Sequence, residues 1–151
     1  MSDNAEQLKQ HILSLSVSKD YSVAKKEWFL TNIFYDDCGA NCPCGQPIKE
    51  ICYIKNRLNG RETFVGNVCI KKFLGINTGN AFAGLKRIIQ DKDARPNEDL
   101  ILWAKELGYL YPNDYAFLIN IRHKRSLSEK QLSWLNTINY RIKNRKKVVF
   151  S

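Results

Sequence analysis

Residues 51–66 read ICYIKNRLNGRETFVG, and this stretch carries the clearest local pattern in the chain. Asn59-Gly60 is a dipeptide that two-residue type I′ turns prefer, and strand-forming residues flank it on both sides. We therefore predict a β-hairpin with Asn59 and Gly60 at its turn. In that register Cys52 pairs with Asn67, two residues before Cys69.

All five cysteines of the chain lie in or near this hairpin. They are Cys38, Cys42, Cys44, Cys52 and Cys69. Directly opposed residues of a hairpin have Cβ atoms within about 5.5 Å, so the predicted register brings Cys52 close to Cys69. The Cys42-Pro-Cys44-Gly45 turn adds two thiols, and its glycine permits a tight backbone turn. We therefore predict a tetrahedral structural Zn²⁺ site formed by Cys42, Cys44, Cys52 and Cys69. Cys38 is the spare cysteine, and it replaces Cys52 as ligand if the hairpin register differs.

Two other interpretations of the cysteines stay open. Free cysteine behaves as a small buried apolar residue, and cysteine thiolates also hold iron–sulfur clusters. Five cysteines within residues 38–69, two of them in a Cys-Pro-Cys-Gly turn, favour a metal over simple burial. A site closed by four thiolates has no open coordination position, which argues against metal catalysis.

The motifs of this segment resemble those of small zinc-binding proteins carried by phages and bacterial mobile elements. The resemblance rests on residues 42–45, 54–60 and 65–69 with Phe73, and on a later stretch, residues 127–138. It implies zinc and a fold, but no established activity. The order of turn, hairpin and helix is also similar to a treble clef. A treble clef normally has two ligands on its helix, and here Lys72 stands where the second would be.

The rest of the chain predicts one further strand and several helices. The predicted strand is Trp28–Tyr35, and the first three predicted helices are residues 4–15, 68–74 and 81–90. A fourth helix runs from its cap at Asn97 to Gly108, and a fifth starts near Asp114. The last helix begins with a capping box formed by Ser128 and Gln131. We therefore predict an α+β fold, in which a zinc-organised, treble-clef-like β-hairpin module is followed by a mainly helical C-terminal part. The segments are 1–27 (N-terminal helical), 28–76 (zinc-binding hairpin module) and 77–151 (helical, with a basic tail).

The positive charge of the chain is unevenly distributed. The 151 residues carry a net charge of +9, and 44% of them are hydrophobic, as in a folded globular protein. Lys and Arg outnumber Asp and Glu by 6 to 2 in residues 41–80 and by 9 to 1 in residues 121–151, whereas acids slightly outnumber bases elsewhere. Such segregation predicts an anionic partner, although a solvated basic face without a partner is the alternative.

Two basic regions are therefore candidate nucleic-acid-binding surfaces. The candidate residues are Lys55, Arg57, Lys71, Lys72, Arg122, Lys124, Arg125, Arg141, Lys143, Arg145, Lys146 and Lys147. On the hairpin, Tyr53 and Phe64 would share a face with Lys55 and Arg57, a combination that suits base stacking and phosphate contact. An ordinary solvated strand face is the competing interpretation. We predict a zinc protein that binds DNA or RNA mainly through backbone contacts. The alternative is a protein-binding regulator or inhibitor of a host nucleic-acid enzyme.

Catalysis and membrane insertion find little support in the sequence. The chain has two histidines, His11 and His123, and no nucleophile motif, phosphate loop or His-Glu metal motif. The N-terminus lacks the basic start and apolar run of a secretory signal, and no apolar stretch approaches the roughly 20 residues that span a bilayer. We expect a non-enzymatic protein in a reducing, cytoplasmic compartment, where clustered cysteines bind metal rather than form disulfides.

Overall fold

The computed structural model describes residues 4–149 and shows an α+β protein, which confirms the predicted class. Its strands are β1 (Trp28–Asn41), β2 (Pro47–Asn56) and β3 (Glu62–Gly66). Its helices are α1 (Asn4–Leu15), α2 (Tyr21–Ala24, continued by a 3-10 turn over Lys25–Glu27), α3 (Asn67–Leu74), α4 (Gly79–Gln90), α5 (Glu98–Glu106), α6 (Pro112–Ile121) and α7 (Glu129–Lys143). Residues 1–3 and 150–151 belong to the predicted terminal segments but lie outside the described residues. None of the described helices is both long and apolar enough to cross a bilayer.

The described chain divides between Asn77 and Thr78 into two compact units. Unit 1 contains the sheet with α1, α2 and α3, and unit 2 contains α4 to α7. Each unit has its own apolar core, and in unit 2 the capping box predicted at Ser128 and Gln131 is present in both directions. Asn97 accepts the backbone N–H of Leu100 as the predicted cap of α5. α6 begins at Pro112, two residues before the predicted start.

The sheet of unit 1 is antiparallel, with β2 in the centre between β1 and β3. Its inner face is formed by alternate residues that are almost wholly buried, including Ile33, Ile54 and Val65. α1 packs against this face: its His11 ring lies 2.8 Å from the Thr63 hydroxyl, and Thr63 is the neighbour of Ile54 across the hairpin. The inner face and α1 thus form the core of unit 1.

The predicted two-residue turn at Asn59-Gly60 is wrong, because β2 and β3 are joined by a longer loop. The backbone N–H of Asn56 donates to the carbonyl of Arg61 at 2.8 Å, which closes a four-residue loop over 57–60. The buried Asn56 side chain favours this geometry, since its carbonyl oxygen accepts the N–H groups of Leu58 and Asn59 at 2.8 and 3.2 Å. A side chain that satisfies backbone donors in this way stabilises an alternative to the tighter turn.

The longer loop shifts the hairpin register by two residues. Cys52 pairs with Val65 rather than with Asn67, so the predicted approach of Cys52 to Cys69 by strand pairing is wrong. The pairs Tyr53–Phe64 and Lys55–Glu62 replace the predicted pairings of Phe64 with Lys55 and of Glu62 with Arg57. Because side chains alternate with a period of two, a shift of two residues keeps the paired residues of β2 and β3 on their predicted faces, whereas Arg57 and Leu58 lie in the loop.

β1 is longer than the predicted strand and pairs with β2 on the side opposite β3. Its pairing is irregular between Tyr35, opposite Glu50, and Ala40, opposite Ile48. The chain advances five residues along β1 between these two pairs but only two residues along β2. Three extra residues of β1 therefore bulge out of the ladder. Cys38 lies in this bulge and is exposed.

Candidate functional site

Three cysteines form the candidate metal centre of unit 1. The Sγ atoms of Cys42, Cys44 and Cys69 all lie within 4.8 Å of one another, and those of Cys42 and Cys69 are 3.6 Å apart. Cys42 and Cys44 are buried, and Cys69 is half-buried. This group could hold a metal ion, and among residues 4–149 no other cluster of three or more His, Cys, Asp or Glu side chains has such geometry.

The turn that supplies two of these thiols connects β1 to β2. The N–H of Cys42 donates to the carbonyl of Gln46 at 2.9 Å, and the N–H of Gly45 donates to the carbonyl of Cys42 at 2.8 Å. Gly45 has a φ of +101°, a conformation that residues with a Cβ atom rarely adopt. A Cβ atom there would also lie 2.8 Å from the side-chain oxygen of Gln7 in α1. The turn conformation therefore requires the glycine of the Cys-Pro-Cys-Gly motif, whereas the Gln7 side chain could move away from an added Cβ atom.

The third thiol comes from the first turn of α3. Gly66 ends β3 and is the N-terminal cap of α3, so Cys69 is the third residue of the helix. The positive end of the helix dipole lies at this place and would stabilise a metal-bound thiolate there. Gly66 also donates its N–H to the sulfur of Cys42 at 3.4 Å, and a Cβ atom on Gly66 would lie 2.8 Å from Ile48. β3 thus brings both a helix start and a backbone donor to the cluster.

The separation of the sulfur atoms fits a tetrahedral zinc ion better than a disulfide. Zn–S bonds of about 2.3 Å at tetrahedral angles place two thiolate sulfurs about 3.8 Å apart. The observed 3.6 Å between Cys42 and Cys69 is close to that value, and it is far above the roughly 2.05 Å of a disulfide. The donor set, three thiols and no oxygen ligand, also suits zinc rather than calcium or magnesium.

The three thiols do not ionise independently. Burial raises the pKa of Cys42 and of Cys69, and for Cys69 the neighbouring cysteines raise it further. Burial also opposes ionisation of Cys44, but hydrogen bonds from the backbone of Gln46 and from the other two thiols outweigh it and lower the pKa of Cys44. Cys44 is therefore the thiol of the cluster that ionises most readily. A divalent cation would offset the repulsion between three thiolates and allow all three to ionise.

The structure brings together three of the four predicted ligands and does not add Cys52 to them. Cys52 is fully buried in β2 on the inner face, opposite Val65. Cys38 is exposed in the β1 bulge, where its backbone N–H donates to the Asp36 carboxylate. No other His, Cys, Asp or Glu of residues 4–149 completes a four-ligand group with the three clustered thiols.

Three of the predicted nucleic-acid-binding residues make internal contacts in unit 2. Arg141 forms a 2.7 Å ion pair with Asp114, and both side chains are largely buried. Lys147 donates to the carbonyl of Leu107 at 2.8 Å, and Arg122 lies 3.4 Å from Glu98. The sequence could not distinguish these cations from solvent-facing ones, because their partners are 24 to 40 positions away in the chain.

Other predicted cations lie on the surface. Lys71 and Lys72 are exposed at the end of α3 in unit 1, and so are Lys124, Arg125, Arg145 and Lys146 in unit 2, while Lys143 is half-buried. These residues leave a strong excess of exposed positive charge, since residues 121–151 contain one acid. Lys146 also contacts an aromatic ring: its amino group lies 5.0 Å from the centroid of Tyr140.

Lys55 and Arg57 lie on the outer face of the sheet, opposite the face that packs on α1. Phe29 of β1 is directly opposite Lys55, and the guanidinium of Arg57 lies 5.6 Å from the centroid of the Phe29 ring. Phe29 was not among the residues predicted for this surface. It belongs to the apolar run of β1, and its role depends on the pairing of β1 with β2, which local sequence does not specify.

Comparisons with protein-family models, with curated proteins and with solved structures find no match to this chain.

Proposed function

We propose that this protein is a non-enzymatic, zinc-binding protein that attaches to nucleic acid through its exposed basic surfaces. Zinc, held by Cys42, Cys44 and Cys69, would fix the β1–β2 turn to the start of α3. In such sites metal binding is coupled to folding, so zinc would stabilise unit 1. The spacing of the thiols and the absence of oxygen donors from their cluster support this assignment.

The arrangement of the ligands supports a treble-clef-like module. Two ligands come from a tight turn, a hairpin follows, and a further ligand lies in the first turn of the next helix. Lys72 is exposed at the place where a treble clef has its second helical ligand. The module therefore departs from the usual pattern in its fourth coordination position, which water or an external ligand would complete if no protein group did.

Nucleic acid is the proposed partner because of one observation: exposed cations far outnumber acids in two defined parts of the chain. Lys71 and Lys72 project from α3, and Lys124 and Arg125 from the connection between α6 and α7. Phosphate contacts from such side chains give affinity with little sequence preference, and the release of counterions makes that affinity strongly salt-dependent.

The test is the salt dependence of binding to arbitrary oligonucleotides. Fluorescence anisotropy with labelled single- and double-stranded 12-mers should show affinity that falls steeply between about 50 and 200 mM salt. The double variants Lys71→Ala/Lys72→Ala and Lys124→Ala/Arg125→Ala should each reduce the slope of log affinity against log salt, by about one unit for each phosphate interaction that the substitution removes.

Matched control variants come from the exposed lysines of the acid-rich segments. Lys19→Ala and Lys92→Ala each remove one exposed positive charge from a region where acids outnumber bases, and they should leave the slope unchanged. If the parent protein binds no oligonucleotide even at low salt, the proposal fails. The basic surfaces would then be better explained by an acidic protein partner, which capture from host extract would identify.

A further inference from the structure

The outer face of the sheet combines aromatic rings and cations from all three strands. Phe29 comes from β1, Tyr53 and Lys55 from β2, and Phe64 from β3. The loop after β2 adds Arg57. Phe29 is 39% exposed, and Tyr53, Lys55 and Phe64 are each partly exposed.

These side chains form two adjacent groups. In the first, the rings of Tyr53 and Phe64 face each other across the β2–β3 pair, with centroids 6.3 Å apart and planes inclined by 56°. In the second, Phe29 lies opposite Lys55 on the β1–β2 pair, and the Arg57 guanidinium lies 5.6 Å from the centre of its ring. Each group therefore offers an aromatic surface, and in the second the Arg57 guanidinium lies over the Phe29 ring while Lys55 is its neighbour on β2.

We propose that this outer face binds single-stranded nucleic acid. Bases would stack on Phe29 and on the Tyr53–Phe64 pair, while Lys55 and Arg57 would contact the adjoining phosphates. This inference rests on the proposed function and names its substrate class. Stacking on protein rings requires bases that are free of their complementary strand, so the face favours a single strand over a duplex.

The dimensions of the face set the length of strand that it engages. Neighbouring strands lie about 4.8 Å apart, and same-face residues of one strand about 6.8 Å apart. Going from Phe29 to Phe64 crosses two interstrand spacings and moves one same-face step, from Lys55 to Tyr53, along β2. The two rings are therefore about 12 Å apart along the diagonal. That distance corresponds to two or three nucleotides. Two or three is also the number of bases that commonly stack on the aromatic side chains of an open sheet.

One acid on this face opposes the proposed ligand. Glu62 is exposed and pairs directly with Lys55 across the hairpin, so its carboxylate lies beside the expected path of the phosphates. Glu62→Gln removes that negative charge and keeps the shape of the side chain. It should therefore strengthen binding of single-stranded oligonucleotides, whereas an ordinary solvated strand face would show no change in affinity.

The experiment compares binding of a labelled 12-nucleotide oligothymidylate with that of a hairpin duplex of the same length. Phe29→Leu and Tyr53→Leu retain apolar volume on the sheet but remove the ring, and each should weaken binding to the single strand about tenfold. Neither change should alter duplex binding appreciably. The matched control is Tyr115→Leu in unit 2, a partly exposed ring that has the Lys105 amino group 4.3 Å from its centre; this variant should bind the single strand as tightly as the parent.

The outcomes distinguish this inference from the proposed function. If the parent binds neither probe, both fail. If the parent binds the duplex as tightly as the single strand, or if Phe29→Leu and Tyr53→Leu bind like the parent, the outer face is not the interface and only the inference is overturned. Circular dichroism and the metal content of each variant, compared with the parent, exclude misfolding as the cause of weaker binding.

Discussion

Removing the carboxylate of Asp114 should destabilise unit 2 severely, because it leaves a largely buried guanidinium without its charge partner. Asp114 lies in the first turn of α6 and accepts three hydrogen bonds: from the backbone N–H of Tyr111 at 2.9 Å, from Trp134 Nε1 at 2.8 Å and from Arg141 at 2.7 Å. The side chains of Asp114 and Arg141 are 6% and 17% exposed. The charge pattern of the C-terminal segment predicted Arg141 as a phosphate-binding residue, so this perturbation also tests the assignment of Arg141 to the buried ion pair.

The magnitude follows from the burial of the pair. Truncating one partner of a buried ion pair commonly costs about 3–5 kcal/mol. Arg141 keeps a hydrogen bond to the carbonyl of Tyr109 and some exposure, so Asp114→Ala should cost about 3 kcal/mol, at the lower end of that range. Arg141→Met should cost less, about 2 kcal/mol, because two donors to the carboxylate remain. The double variant should cost less than the two single changes together, by about 1 kcal/mol or more.

The assay is equilibrium unfolding in urea, followed by tryptophan fluorescence and by circular dichroism. Trp134 reports on this site directly, since it donates to Asp114 and its ring stacks on Phe117 at a centroid distance of 4.1 Å. The matched control is Arg122→Met, which breaks the more exposed pair with Glu98. That change should cost no more than about 0.5 kcal/mol.

A decrease in stability below about 1 kcal/mol for Asp114→Ala would refute the reasoning, because surface ion pairs contribute about that much or less. Arg141 would then not depend on Asp114, and it would return to the set of candidate phosphate contacts. Additivity of the two single changes would contradict the pairing in the same way.

Three further outcomes are expected. Cys44→Ser should abolish tight metal binding while Cys38→Ser retains it, and retention of metal by the Cys44 variant would show that this thiol is not a ligand. Hydrogen bonds, chiefly from the Asn56 side chain, lower the pKa of Glu27 below its usual 4.5. The stability that these bonds give the folded protein should be complete above that pH and should disappear as the pH falls through the folded pKa. Glu27→Gln should lack this acid-induced decrease in the free energy of unfolding, and a pH profile identical to that of the parent would count against the contact. Arg145 has a φ of +54°, so Arg145→Gly should raise the free energy of unfolding by about 1 kcal/mol. A lower free energy of unfolding in urea for this variant would show that the Arg145 side chain stabilises the fold by more than the backbone strain costs.

Local patterns predicted most of the elements. The capping box at Ser128, the Asn97 cap and the amphipathic run of α1 each depend on residues within one or two turns of helix, so the sequence shows them directly. The Cys-Pro-Cys-Gly turn and the cysteine near the start of α3 are local in the same sense. Three of the four predicted ligands therefore lie together, although the hairpin geometry used to argue for them was wrong.

The errors concern interactions between distant residues. The preferred Asn59-Gly60 turn gives way to a longer loop because Asn56, buried beside Glu27, satisfies the loop's backbone donors with its side chain. The fourth predicted ligand, Cys52, depended on that register. The contact of Arg141 with Asp114 and the approach of Phe29 to the hairpin likewise require knowledge of how distant segments pack, which hydrophobic periodicity and charge do not contain.

The most direct test of the central claim is the metal content of the intact protein, measured by native mass spectrometry on material prepared without chelators. We predict one zinc ion per chain, released on acidification or chelation together with disappearance of the circular dichroism signal of the sheet, because folding of unit 1 is coupled to metal binding. A protein that is fully folded and contains no metal, or that keeps its fold unchanged after complete chelation, would contradict the claim that Cys42, Cys44 and Cys69 hold a structural zinc ion.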